Sequence, residues 1–208
     1  MSVQHAYNSW AAQYDSNDNK TRDLESIALR NTLEKIHFNN CLEVGCGTGK
    51  NTVWLVERAN HIMAVDLSEE MLKKAKEKII SGKVEFMQAD INKPWAFGTT
   101  PYDLITFSLV LEHIANLYHV FSEAARLLSV GGYLYLGELH PFKQYMGTKA
   151  RFDTANGTQI VECYNHNVSD FIQPAKKHGL SVIDLKEYFD RANDGSVPRI
   201  LTILFQRK

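Results

Sequence analysis

Leu42-Glu43-Val44-Gly45-Cys46-Gly47-Thr48-Gly49-Lys50, followed after a helix-length stretch by Val65-Asp66, is the part of the sequence that decides the fold. Cys41 to Val44 reads as a short buried strand. The glycines at 45, 47 and 49 read as a tight turn that keeps its amides bare for a ligand, and Thr48 to Arg58 reads as a helix. A second strand, His61 to Val65, ends at Asp66, an acid placed to accept hydrogen bonds from ribose hydroxyls. Strand, glycine turn, helix, strand and acid form the mononucleotide-binding half of a doubly wound α/β sheet. A dinucleotide site wants a further glycine three positions after Gly47, and Lys50 stands there. An NAD-dependent oxidoreductase is therefore the weaker reading of the turn.

The same alternation runs outward in both directions. Before the turn, Leu24, Ile27, Ala28, Leu33 and Ile36 recur at helical spacing. After it, Ser68 caps a helix running to Ile79, and Val84 to Met87 is a third strand. Tyr102 to Ser108 is a nearly continuous apolar strand, as expected at the centre of a sheet covered on both faces. A helix from about Leu117 to Leu128 ends at Gly131-Gly132 and leads into a fifth strand, Tyr133 to Leu139. Regular alternation of this kind implies parallel pairing with right-handed crossovers. From Pro141 the pattern breaks into an aromatic, glycine-containing insert, so residues 141–167 are expected to form a substrate lid. Helical spacing returns between Val168 and His178, and Leu180–Leu185 and Ile200–Phe205 read as the last two strands.

The bulk numbers exclude several classes of function. A chain of 208 residues suits one domain with a full core, expected here over 1–208 with 1–38 as a helical cover. Net charge is −1 and Lys and Arg form no long run, so no nucleic-acid partner is expected. Cys41, Cys46 and Cys163 are odd in number and lack paired-ligand spacing, which points to free thiols and to no metal. The N-terminus lacks a basic start followed by an apolar run, and no stretch approaches the roughly 18 apolar residues of a membrane span. A cytoplasmic protein without a membrane partner is the expectation.

The run Glu43-x-Gly45-x-Gly47-x-Gly49 resembles the first motif of the S-adenosylmethionine-dependent methyltransferases with a seven-stranded Rossmann-like fold. The likeness extends through Leu109-Val110-Leu111-Glu112-His113-Ile114 and Glu123 to Leu134, in the version that small-molecule methyltransferases carry most often. It implies a doubly wound, mostly parallel seven-stranded sheet and S-adenosyl-L-methionine as cofactor. It places Glu43 near the cofactor's ammonium group, and the turn of Gly45, Cys46, Gly47 and Gly49 around its methionine end. Asp66 is placed on the ribose, Leu67 and Met71 against the adenine, and Asp90 with Ile91 at the adenine amino group. Ser108 and His113 then border the cofactor, and Tyr14, within Trp10-Ala11-Ala12-Gln13-Tyr14-Asp15, folds over it. Methyltransferases of planar amino groups often carry an Asn/Asp-Pro-Pro-aromatic motif where this chain has Ser108-Leu109-Val110-Leu111. The acceptor expected is a small molecule methylated at oxygen or nitrogen, and a non-catalytic protein that binds the cofactor or its spent form is the alternative.

Acceptor chemistry is read from position alone. His140 lies at the carboxyl end of the fifth strand, where such sheets bind ligands, and is the candidate general base; Glu138 shares its face and is placed to orient it. The competing role for His140 is simply to cap the strand. Tyr164 and His166 share a face of the insert and either line the acceptor pocket or tie the insert down. Arg151 is a candidate clamp for an acceptor carboxylate.

Overall fold

The computed structural model describes residues 2–98, 101–154, 157–190 and 197–208. Two helices, α1 (Val3–Trp10) and α2 (Lys20–Leu33), precede β1 (Asn40–Val44), α3 (Thr52–Leu55), β2 (His61–Asp66), α4 (Glu69–Lys78) and β3 (Val84–Gln88). Then come β4 (Tyr102–Ser108), a 3₁₀ turn at Leu111–His113, α5 (Leu117–Leu127) and β5 (Leu128–Leu139). The insert contributes α6 (Pro141–Tyr145) and a separate hairpin of β6 (Arg151–Thr154) and β7 (Gly157–Ile160). The chain closes with α7 (Val168–Lys177), β8 (Leu180–Tyr188) and β9 (Ile200–Arg207).

Seven strands form one sheet in the order β3-β2-β1-β4-β5-β9-β8. The pairs from β3 to β5 are parallel, and β9 runs antiparallel to both β5 and β8. The order reverses between β1 and β4, which opens a crevice at their carboxyl ends. Period-two alternation sends Leu42, Val44, Met63, Val65, Ile105 and Phe107 to one face, packed with α5 and α7. Cys41, Ile62, Ala64 and Leu104 face the other side, under Leu29 and Leu33 of α2 and Leu72 of α4. Because both faces are covered, these strands read as apolar runs.

The structure departs from the sequence reading in two places. The helix expected over Thr48–Arg58 is the single turn α3, because the positive-φ turn carries the chain as far as Asn51 before α-helical bonding begins. The helix after β4 stops at Leu127, and Gly131-Gly132 lie inside β5, where a Cβ on Gly132 would sit 2.9 Å from the Ser129 carbonyl. The glycines admit a close backbone approach there and do not cap the helix. Residues 161–167, the end of the insert, have no regular structure. Among the described residues, no helix is long and apolar enough to cross a membrane.

Candidate functional site

The floor of the crevice is held almost entirely by backbone. The amides of Gly45 and Cys46 both donate to the Val65 carbonyl, at 2.8 and 3.0 Å, pinning the glycine turn to the end of β2. Gly45 (φ +75°) lies under Val110, whose Cγ2 would stand 2.1 Å from an added Cβ; Gly47 (φ +54°) faces open space. Asp66 accepts from the Gly47 amide and from the Ser68 amide, each at 2.8 Å. Burial raises its pKa, and the amides of Ser68, Gly47 and Leu67 act against that rise. Ser68 in turn caps α4 by accepting from Met71 N at 3.2 Å.

Three cavities meet above this floor. The first is lined by Tyr14, Gly45, Gly47, Asp66, Leu67, Met71, Asp90, Ile91, Ser108 and His113, all anticipated from the sequence, together with Val3, Tyr7, Leu109 and Val110. The second holds Glu43, Cys46 and Thr48 with Arg22, Glu25 and Asn51. The third, a chamber of about 410 Å³, is bounded by Tyr7, Lys20, Arg22, Glu112, Lys149 and Arg151 among others. Tyr14 and Leu109 line all three. Leu109 sits at φ +56°, a left-handed conformation costly for a leucine, and its amide donates to Gly137 O at 2.8 Å. Strain is thus held at the point where the cavities join.

The second cavity carries two buried acids without a cationic partner in an ion pair among the described residues. Glu43 accepts from the Thr52 hydroxyl at 2.5 Å, and desolvation pushes its pKa up to about 8. Glu25 accepts from Asn51 at 2.9 Å and from Tyr135 at 3.1 Å, and desolvation pushes it to about 6. Beside them Arg22 is buried, donates to the carbonyls of Tyr14 and Asn17, and leaves its Nε–H unpartnered. An ammonium and a carboxylate on one ligand would satisfy this set. The residues present therefore fit the amino-acid end of S-adenosylmethionine, while the first cavity offers an acid and apolar side chains for a nucleoside.

Other anticipated residues fall elsewhere. Gly49 lines none of these cavities; its amide donates to Cys46 O at 2.9 Å and its α-carbon packs on Ile79. The expectation that Glu138 orients His140 does not hold. Glu138 is fully buried and accepts from the amides of Val110 (3.0 Å) and Leu111 (2.9 Å), bracing the exit of β4. His140 accepts at Nδ1 from Phe142 N (3.1 Å), which caps α6, and its Nε2 meets Glu187 at 2.9 Å. Both ring nitrogens are engaged and burial lowers its pKa, so the capping role fits its contacts and the general-base role does not. His166 is buried, with Nε2 2.9 Å from Ile114 O, and Tyr164 N donates to Glu112 O at 2.7 Å. Both tie the insert down outside the chamber; of the five acceptor-side candidates, Arg151 alone lines it.

Sequence reasoning missed Tyr7, Arg22, Glu25 and Leu109. Tyr7 shares a helical face with Trp10 and Tyr14, and that spacing was the available signal. Arg22 and Glu25 stand three apart on α2, but nothing local says that their ends are buried.

Residues 42–136 match the family model for the methyltransferase domain. An uncharacterised methyltransferase of Emericella nidulans is 26% identical, the alignment covering 86% of this chain and 76% of that protein. The trans-aconitate 2-methyltransferase of an Azoarcus strain is 33% identical, with 55% of this chain and 46% of that protein covered. An N-methyltransferase of Bradyrhizobium japonicum, solved with S-adenosyl-L-homocysteine, superposes with a TM-score of 0.74 at 18% identity, over 100% of this chain and 99% of that one.

Proposed function

We propose that this chain, which belongs to the S-adenosylmethionine-dependent methyltransferases with a Rossmann-like fold, methylates a small molecule at oxygen or nitrogen in the chamber beside Tyr7. The observation that carries the reading is that Tyr14 and Leu109 line all three cavities: the one with Asp66 and apolar walls, the one with the two buried acids, and the third chamber. When bound, S-adenosylmethionine supplies a methyl group on a sulfonium that lies between its nucleoside and its amino acid. The chain's part is to hold that centre facing the acceptor, a positioning effect worth up to roughly 7–11 kcal/mol of barrier.

In this reading Glu43 and Glu25 take the ammonium group, Arg22 the carboxylate and Asp66 the ribose. Leu67, Met71 and Ile91 flank the adenine, and Asp90 accepts from its amino group. Arg151, Lys20 and Lys149 border the chamber without a salt-bridge partner among the described residues, and hold an anionic group of the acceptor. The insert at 141–167 closes the chamber as a lid, with Phe152 stacked on Trp10 at 5.2 Å. Three free thiols support a reducing, cytoplasmic setting. The test is a small-molecule extract incubated with methyl-labelled donor. Transfer of label to a small product supports the reading, and donor binding without transfer to any small molecule would sink it in favour of a binding protein.

A further inference from the structure

Resting on that reading, we propose that Tyr7 and His113 form a proton relay in the wall of the acceptor chamber, and that the acceptor is a group that must lose a proton on methylation, a hydroxyl or a protonated amine. Tyr7 lines both the first cavity and the chamber, and its hydroxyl lies 2.8 Å from His113 Nε2. His113 Nδ1 lies 2.7 Å from the Glu162 carbonyl oxygen, which can only accept. In the neutral ring Nδ1 therefore carries the hydrogen, and Nε2 offers its lone pair to the Tyr7 hydroxyl. The phenol has its own lone pairs left for a donor in the chamber.

The surroundings suit a proton arriving at His113. Glu112 Oε1 lies 3.9 Å from Nε2, Glu112 is buried, and its Oε2 has no hydrogen-bond partner among the described residues. Burial raises the pKa of Glu112 and His113 lowers it, so an imidazolium formed there draws the carboxyl to its ionised form as a counter-ion. The other titratable groups facing this cluster are Cys163, 3.8 Å from Nδ1, and Tyr14 and Asp66 across the first cavity. Burial holds the Cys163 thiol at a pKa of about 12 and that of Tyr7 well above its ordinary value, so neither competes as an anion.

The balance is complete without another reactant. In a hydroxyl an oxygen lone pair, and in a protonated amine the N–H electron pair left on nitrogen as its proton departs, forms the bond to the methyl carbon, and the carbon–sulfur pair leaves with sulfur as a neutral thioether. The acceptor's proton passes to Tyr7 Oη as the phenolic proton passes to His113 Nε2, leaving a neutral tyrosine and an imidazolium beside Glu112. A carboxylate acceptor is already ionised at neutral pH and has no use for such a wall.

The test has two arms. In full-length protein with ¹⁵N-labelled histidine and S-adenosylhomocysteine, NMR should show His113 as the Nδ1–H tautomer. Its Nε2 resonance should move in Y7F. An Nε2–H tautomer, or an Nε2 resonance indifferent to Y7F, would overturn the relay whether or not the enzyme turns over. In the second arm, the labelled product from a small-molecule extract is treated with mild alkali. Label retained, as in an ether or N-methyl group, supports the proposal; label released as methanol marks a carboxylate ester and overturns it. Y7F and H113Q should each lose about 100-fold or more in turnover, well beyond any loss of S-adenosylhomocysteine affinity that their place in the wall of the first cavity brings; a loss of affinity as large as the loss of turnover would overturn the relay. If neither S-adenosylhomocysteine binding nor label transfer occurs, the methyltransferase reading fails, and the tautomer result still judges the relay.

Discussion

The floor of the site is built from neighbours and the roof from strangers. Gly47 and Asp66, joined by a 2.8 Å hydrogen bond, are 19 positions apart, within one strand–turn–helix–strand unit. Tyr7 and His113 are separated by 106 positions, Glu25 and Tyr135 by 110, and Arg199 and Thr21 by 178. The floor also works mainly through amides and carbonyls fixed by the sheet, whereas the roof works through side chains of α1, the start of α2 and the insert. Damage to the floor should therefore reach the fold and the cofactor together, and damage to the roof should reach function or local stability separately.

The largest effect is expected from Gly45→Ala. A Cβ at φ +75°, 2.1 Å from Val110 Cγ2, adds overpacking to left-handed strain, together roughly 2–5 kcal/mol. Thermal unfolding should move down by roughly 2–4 °C per kcal/mol, and calorimetry should find no S-adenosylhomocysteine binding. A variant that melts and binds like wild type would break the contrast at its strongest point.

Asp66→Ala should weaken cofactor binding by roughly ten- to a hundredfold, the worth of charge-assisted hydrogen bonds of about 1.5–3 kcal/mol. Because Asp66 also holds the amides of Gly47 and Ser68, stability should fall as well. Binding lost at unchanged stability would mean that the turn does not depend on this acid.

Next comes pH. Glu43 is held at about 8 by desolvation, and an ammonium pairs with its ionised form. Affinity for S-adenosylhomocysteine should rise with pH up to about 8, by at most about tenfold per unit, with proton release on binding at pH 7. Glu43→Gln should flatten that profile; an unchanged slope would remove Glu43 from the ammonium site.

The smallest effect belongs to His140→Ala. Loss of the α6 cap should cost about 0.5–2 kcal/mol of stability, with cofactor affinity and turnover unchanged. A large fall in turnover would restore the general-base role that its hydrogen bonds argue against.

The same contrast explains what the sequence alone could reveal. Alternate glycines, the acid at 66 and the alternation of strands and helices are local signals, and they led to a doubly wound parallel sheet; the family resemblance supplied most of the residues lining the nucleoside cavity. His140 was misread because its place at a strand end is visible in sequence, while Glu187 and the Phe142 amide that occupy its ring are brought to it by folding. Glu138 looked like its partner by spacing, yet the strand exit it braces turns inward to meet it. Tyr7 passed unnoticed because its partner lies on another element 106 positions away.

A crystal structure with S-adenosylhomocysteine tests the central claim most directly. The account predicts the adenosine beside Asp66 and Leu67, the amino-acid end between Glu43, Glu25 and Arg22, and the sulfur at Tyr14 and Leu109, facing the chamber that Tyr7 borders. A sulfur pointing away from that chamber, or an amino-acid end outside the pocket of the two buried acids, would contradict it.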